Sequence, residues 1–195
     1  MTLFKLFCCW LRGENVDEMF EACLFRHDRA EIEAVMTQYK HTPESMSKLH
    51  RPSDHCTLLL VASVAGDSNL VQLLLEKGDA ATLLATDDME GNSPLLCACL
   101  GGHAAVVSAL LNCKAAMDSD LPSRPNHQGT TPLMAAAWRG HLDLVKQVMK
   151  QDGVSLTSKD VSGRTAKDLA KEWGHKHVVE WIDTNLKQEE ARQLS

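Results

Sequence analysis

The sequence predicts an all-α solenoid of about five stacked helix-turn-helix units, and three observations lead to this fold class. A set of apolar, Ala and Gly positions recurs along the chain at nearly constant spacing. Aromatic residues make up only 5% of the 195 residues while Leu and Ala are abundant, which favours helices over a β-sandwich. In each unit a Thr or Ser precedes the first apolar run and a Gly follows it, as at the two ends of a short helix.

Four segments carry the repeat in phase. Counted from the Ala that anchors each unit, a Gly lies four residues later, a Val nine later and a further apolar residue twelve later. Successive anchors are 36, 38 and 34 residues apart, and a fainter copy around Cys23 lies 39 residues before the first of them. The four anchors are Ala62, Ala98, Ala136 and Ala170.

The anchor ends a six-residue motif whose best copies read Ser93-Pro-Leu-Leu-Cys-Ala98 and Thr131-Pro-Leu-Met-Ala-Ala136. This motif and its period resemble the ankyrin repeat, a unit of about 33 residues with the signature T-P-L-H-x-A. The resemblance covers residues 14–187. It implies units at about 14–40, 52–80, 88–115, 126–153 and 160–187, with an apolar segment at 1–13 and a polar tail at 188–195.

Each part of a unit has a physical reason. The pairs Ser93-Pro94 and Thr131-Pro132 open a short first helix, since the hydroxyl caps free N–H groups and Pro is tolerated in the first turn. Gly140 ends that helix. A second helix follows, and a turn with Asp or Asn three residues before Gly precedes the next unit; the resemblance places these turns at the tips of hairpin-like loops. The predicted core positions of the second helix in the third unit are Leu142, Val145, Val148 and Met149.

Two inserts and a charged final unit complete the predicted domain. Residues 37–52 and 115–125 add length beyond the repeat, and we expect longer loops at one edge of the solenoid. A terminal unit needs a polar outer side. The fourth unit carries charged residues suited to such a cap: Lys167, Lys171, Lys176, Glu180, Asp183 and Lys187.

Composition and motifs argue against several classes of function. The net charge is −6 and Lys and Arg do not cluster, so no nucleic-acid interface is expected. No apolar stretch reaches the roughly 18 residues that would span a bilayer. The cysteines number seven, an odd count, and several of them fall in apolar runs, which indicates free thiols in a reducing, cytoplasmic setting.

The titratable side chains give no catalytic or metal-binding pattern. Phosphate loops, nucleophile elbows and dinucleotide fingerprints are missing, so no enzymatic activity and no cofactor are expected. Cys97 and Cys99 would point about 200° apart on a helix and cannot readily share a metal ion. The resemblance implies instead a structural role for His103, His141 and His175, which follow the repeat Gly and would hydrogen-bond neighbouring loops.

The leading functional interpretation is a monomeric scaffold or adaptor that binds another protein through a concave face of turns and first helices. An inhibitory or regulatory subunit would use the same face. The resemblance implies that the exposed positions lie around the turn Gly and just before the helix-ending Gly. They are Met89, Glu90, Asn92, Leu100, His127, Gln128, Thr130, Trp138, Arg139, Arg164, Glu172 and Trp173.

The N-terminal segment supports a third interpretation, recruitment to a membrane. Leu3, Phe7, Trp10 and Leu11 fall on one helical face, and Cys8 and Cys9 could accept palmitate. The alternative is an amphipathic cap that covers the apolar side of the first repeat.

Overall fold

The computed structural model describes residues 56–85, 87–117 and 119–193, together with Ala30 and Ala34. Ten α-helices lie within these ranges. They are α1 (Leu58–Ala65), α2 (Ser68–Lys77), α3 (Ala80–Ala85), α4 (Pro94–Gly101), α5 (Ala104–Leu111), α6 (Lys114–Met117), α7 (Pro132–Trp138), α8 (Leu142–Val148), α9 (Ala166–Glu172) and α10 (Lys176–Gln193).

Eight of these helices form two stacked layers. In the inner layer α1 packs against α4, α4 against α7 and α7 against α9; in the outer layer α2, α5, α8 and α10 follow the same order. Each inner helix also contacts the outer helix that comes next in the chain. The described residues therefore form four stacked helix pairs, and the predicted all-α solenoid is confirmed.

The inner helices begin where the sequence predicted. The hydroxyl of Ser93 accepts a hydrogen bond from the backbone N–H of Leu96 at 3.3 Å, and that of Thr131 accepts one from Met134 at the same distance. In both helices a proline occupies the first turn. These caps satisfy donors that a helix N-terminus leaves without a partner.

The core lies between the two layers and runs through all four pairs. The anchoring alanines are buried, and their small side chains let neighbouring helices approach closely. On α8, Val145 and Val148 are buried as predicted, whereas Leu142 and Met149 are only half-buried. Leu144 is buried as well. Residues 144, 145 and 148 therefore form the side of α8 that faces the core.

The start of the insert predicted as a loop at 115–125 is helical: residues 114–117 form α6, which packs against α3 and α5. Residues 80–85, for which no helix was predicted, form α3, and its Leu83 and Leu84 are buried in the core. The guanidinium of Arg124 donates to the carbonyl oxygen of Leu84 at 2.6 Å. These helices are too short to show an apolar periodicity, so they could not be predicted from the residue pattern.

Several sequence predictions lie outside the described residues. They are the insert 37–52, the apolar segment 1–13 with Cys8 and Cys9, and almost all of the unit predicted at 14–40. Within that unit Ala30 and Ala34 are described, and both are helical and exposed.

Candidate binding surface

The turns between units are held by one polar side chain at their first position. The Oδ1 atom of Asn126 accepts backbone hydrogen bonds from Gln128 at 3.0 Å and Thr130 at 2.8 Å. Asp88 and Asp160 make the equivalent pairs of bonds in the turns before and after. The tips are therefore fixed loops, which lowers the entropy that a ligand would have to remove on binding.

Hydrogen bonds also join each turn to the next. The backbone N–H of His127 donates to the carbonyl oxygen of Glu90, and that of Val161 donates to the carbonyl oxygen of Gln128, both at 3.0 Å. The side chain of Asn126 donates to Oδ1 of Asn92 at 2.8 Å. The three turns thus form one continuous edge, and the amide of Asn92 is already engaged in holding it.

The histidines that follow the repeat Gly connect successive units. Nε2 of His103 lies 3.0 Å from the carbonyl oxygen of Val64, and Nε2 of His175 lies 2.9 Å from that of Trp138. This confirms the structural role expected for these two residues. The ring of His141 lies against Gly102. Burial, followed by the charge of Arg139, lowers the pKa of His141 below its ordinary value.

Trp138 and Trp173 meet on the inner-helix side of the third and fourth units. Their ring centroids are 5.7 Å apart and the ring planes are inclined at 69°, an edge-to-face contact. Trp138 is half-buried and packs against the core, whereas Trp173 is 58% exposed. The adjacency expected from their positions just before the repeat Gly is present, with Trp138 supporting the more exposed Trp173.

Arg164 forms ion pairs with two carboxylates, whereas Arg139 forms none among the described residues. Arg164 pairs with Asp160 at 2.9 Å and with Glu172 at 3.3 Å, which ties the third turn to the end of α9. Arg139 is exposed, and no carboxylate among the described residues forms an ion pair with it. Burial alone would raise the pKa of Asp160, but hydrogen bonds from Arg164 and Ser162 outweigh burial and lower it.

The twelve residues singled out from the sequence differ in exposure. Half-buried positions are Asn92, Leu100, Thr130 and Trp138, and exposed positions are Met89, Glu90, His127, Gln128, Arg139, Arg164, Glu172 and Trp173. The Arg164–Glu172 ion pair shows that turns and inner-helix ends share one face in the last unit.

Two apolar residues on this surface escaped the sequence analysis. Val64 is 60% exposed at the end of α1, and Val161 is 77% exposed at a turn tip. Val64 stands two residues after its anchoring Ala, as Leu100 and Trp138 do, and Val161 takes the turn position of Met89. Applying the same offsets to every unit would have found both.

Among the described residues, only four large apolar side chains are exposed. They are Val64, Met89, Val161 and Trp173, and each belongs to an inner-helix end or to a turn. The outer helices α2, α5, α8 and α10 contribute none.

The other reactive groups of the described residues are placed for packing. Cys97, Cys99 and Cys113 are free thiols that are buried or half-buried, as expected, and Cys56 is half-buried. Burial raises the pKa of the Cys97 thiol to about 12 and that of Cys99 as well, so neither is a ready nucleophile. Among the described helices, none combines the length and the apolar character that crossing a membrane requires.

Stacked helix pairs joined by projecting turns define the chain as an α-solenoid repeat protein. A family model described as "Ankyrin repeats (3 copies)" matches residues 22–123 and, in a second overlapping match, residues 58–160. The chain belongs to the ankyrin-repeat family.

Curated relatives contain a similar segment within much longer chains. The chain is 31% identical over 193 residues to the ankyrin repeat and KH domain-containing protein mask-1 of Caenorhabditis elegans, covering 93% of this chain and 7% of that protein. It is 34% identical over 152 residues to the mask protein of Drosophila melanogaster, covering 72% and 4%. It is 32% identical over 127 residues to the tyrosine-protein kinase HTK16 of Hydra vulgaris, covering 65% and 16%.

Proposed function

We propose that the chain is a non-enzymatic scaffold or adaptor of the cytoplasm that binds a partner protein through its inner-helix ends and turns. Ankyrin repeats indicate a protein–protein interaction module. The observation that supports this surface over the outer helices is the confinement of exposed large apolar side chains to it in the described residues. Trp138, Arg139 and Trp173 are its leading candidates for hot spots, since Trp and Arg are the residues most enriched at interaction hot spots.

A double substitution tests the surface. Trp138→Ala with Arg139→Ala should weaken partner binding by at least about 2 kcal/mol, because it removes the aromatic support and the unpaired cation together. Isothermal titration with a purified partner measures the loss, and circular dichroism checks that helical content is retained. The matched control is Lys150→Ala, which removes an exposed cation in the turn after α8. Undiminished binding by the double variant would move the site to the outer side or the inserts.

An inhibitory subunit would use the same surface, and an activity assay separates the two roles. A scaffold leaves the activity of a bound enzyme unchanged, whereas an inhibitor lowers it in proportion to occupancy. The Trp138→Ala, Arg139→Ala variant should relieve any such inhibition at the concentrations where it fails to bind.

Membrane recruitment through residues 1–12 is a separate proposal, based on the apolar helical face and the adjacent Cys8 and Cys9. If this segment caps the first repeat, deleting residues 1–12 should lower the melting temperature and expose apolar surface to a fluorescent dye. If it anchors the chain, deletion should leave the melting temperature unchanged and move the protein from the membrane fraction to the soluble fraction. Cell fractionation beside thermal melts decides between cap and anchor.

A further inference from the structure

Two histidines of the fourth unit bind a short backbone segment of the third unit. Nε2 of His175 lies 2.9 Å from the carbonyl oxygen of Trp138, and Nε2 of His177 lies 3.0 Å from that of Gly140. A carbonyl oxygen only accepts hydrogen bonds, so each imidazole donates from Nε2. The two bonds therefore fall on either side of Arg139, one of the candidate hot-spot residues.

The bonds stabilise the backbone at the end of α7. A helix leaves its last carbonyl groups without a partner inside the helix, and Trp138 is the last residue of α7. The backbone N–H of Arg139 donates to the carbonyl oxygen of Ala135 at 3.2 Å, and that of Gly140 donates to the carbonyl oxygen of Ala137 at 3.1 Å. Hydrogen bonds thus fix the backbone around Arg139, while Arg139 itself is exposed.

His177 has no equivalent donor in the two preceding units. The residue three after the repeat Gly is Ala105 in the second unit, Asp143 in the third and His177 in the fourth. Neither an alanine side chain nor an ionised carboxylate can donate a hydrogen bond to a carbonyl oxygen. Between the described units, this second imidazole bond therefore occurs only where the fourth unit packs on the third.

The equivalent segment of the second unit receives fewer hydrogen bonds from its neighbour. The ring of His141 lies against Gly102, but among the described residues it forms no hydrogen bond with the carbonyl group of Leu100. This segment also contains two adjacent glycines, Gly101 and Gly102, which have more backbone freedom than other residues. The segment that carries Arg139 is thus the one that receives two bonds from the next unit.

The side chains around this segment also contact one another. The ring centroids of His175 and His177 are 6.2 Å apart with the planes inclined at 72°, and the ring of Trp173 packs on that of Trp138. A surface whose backbone is already fixed loses less conformational freedom when it binds. We propose that His177, together with His175, is a positioning residue of the binding surface, which fixes the backbone on both sides of Arg139 so that the guanidinium projects from a rigid segment. The inference rests on the proposed function and adds a residue that acts through Arg139.

Nitrogen-15 relaxation of the full chain tests the positioning without a partner. His177→Ala should lower the backbone order parameters of Arg139 and Gly140 below about 0.85, the value typical of rigid backbone, with an unchanged melting temperature because His177 is exposed. His177→Gln, whose amide N–H can donate to the same oxygen, should restore them. Lys176→Ala, an exposed neighbour on α10, is the matched control and should leave them unchanged. Order parameters that do not fall in His177→Ala would overturn the inference.

Binding of a purified partner protein, measured by calorimetry, tests the consequence. His177→Ala should weaken binding about three- to tenfold, the effect of one hydrogen bond, and His177→Gln should recover most of the loss. In an Arg139→Ala background His177→Ala should have no further effect, because it acts through Arg139.

The outcomes separate this inference from the proposed function. If His177→Ala binds normally, if His177→Gln fails to recover binding, or if the His177 and Arg139 effects are additive, the inference fails. The proposed function still stands in those cases, provided that Trp138→Ala with Arg139→Ala loses binding. If that double variant also binds normally, both fail.

Discussion

Gly140 and Gly174 occupy the same position in successive units, yet their surroundings differ. Both have the left-handed backbone conformation, with φ of +76° and +78°. A Cβ atom at Gly140 would lie 2.5 Å from Nδ1 of His175 in the next unit, whereas a Cβ atom at Gly174 would meet nothing within 4 Å. The repeat glycine therefore has two roles: it ends the inner helix in each of the four described units, and between stacked units it also makes room for the histidine ring that joins them.

The side chains of these two units show the same contrast. Leu133 and Ala137 are buried in the third unit, while the equivalent positions of the fourth carry Lys167 and Lys171. Lys167 forms an ion pair with Asp183 on α10, and Lys171 is exposed. A solvent-facing unit tolerates charge where a stacked unit needs apolar contact. The predicted charged cap accordingly coincides with solvent-facing positions of the last unit described.

The largest expected effect lies in the shared core. Leu110→Ala should lower the free energy of unfolding by about 2–5 kcal/mol, because Leu110 is fully buried where α5 packs between its neighbours. Lys171→Ala in the exposed last unit should change it by less than about 0.5 kcal/mol. Urea unfolding of both variants measures the difference. An unchanged melting temperature for Leu110→Ala would show that the repeat register assigned here is wrong.

The glycines allow a direct test of their two roles. Gly174→Ala should cost about 1–2 kcal/mol, the penalty of a left-handed conformation for a residue with a Cβ atom. Gly140→Ala should cost about 1–3 kcal/mol more, because the ring of His175 must also move.

A double-mutant cycle isolates the added cost at Gly140. In a His175→Ala background, where the ring is absent, Gly140→Ala should cost no more than Gly174→Ala does. Equal costs for the two glycine substitutions in the unmodified chain would mean that the ring contact contributes nothing to stability.

Features set by local motifs could be predicted from the sequence, whereas features set by contacts between distant residues could not. The repeat phase and the helix starts at Ser93 and Thr131 follow from motifs that act locally, so they could be predicted, and the resemblance to ankyrin repeats implied the histidine contacts. α3 was missed because it is short and because its contacts with Arg124, 40 residues away, and with α6 do not follow from the repeat. Whether a Trp lies on the surface or in the core depends on its neighbours in the next unit, so the half-burial of Trp138 had to come from the structure.

The turns supply a second comparison, between Asn126 and Asp160. Both side chains accept two backbone hydrogen bonds through Oδ1, but Asp160 also binds the guanidinium of Arg164. Asp160→Asn should therefore keep the turn and lose the ion pair. We expect a cost of about 0.5–1.5 kcal/mol at pH 7, a modest value because Arg164 is 45% exposed and screened by solvent.

The pH dependence of the free energy of unfolding tests whether this ion pair causes the stability loss expected for Asp160→Asn. The pKa of Asp160 is lower in the folded chain than the value of about 3.9 expected when unfolded, so its charge stabilises the fold above about pH 4. That contribution is lost as the pH falls through the folded pKa. The difference in free energy of unfolding between Asp160→Asn and the unmodified chain should stay constant from about pH 7 to 5 and shrink below about pH 4. Urea unfolding of both chains at several pH values measures the difference. A difference that persists undiminished at about pH 3 would show that Asp160 acts through turn geometry alone.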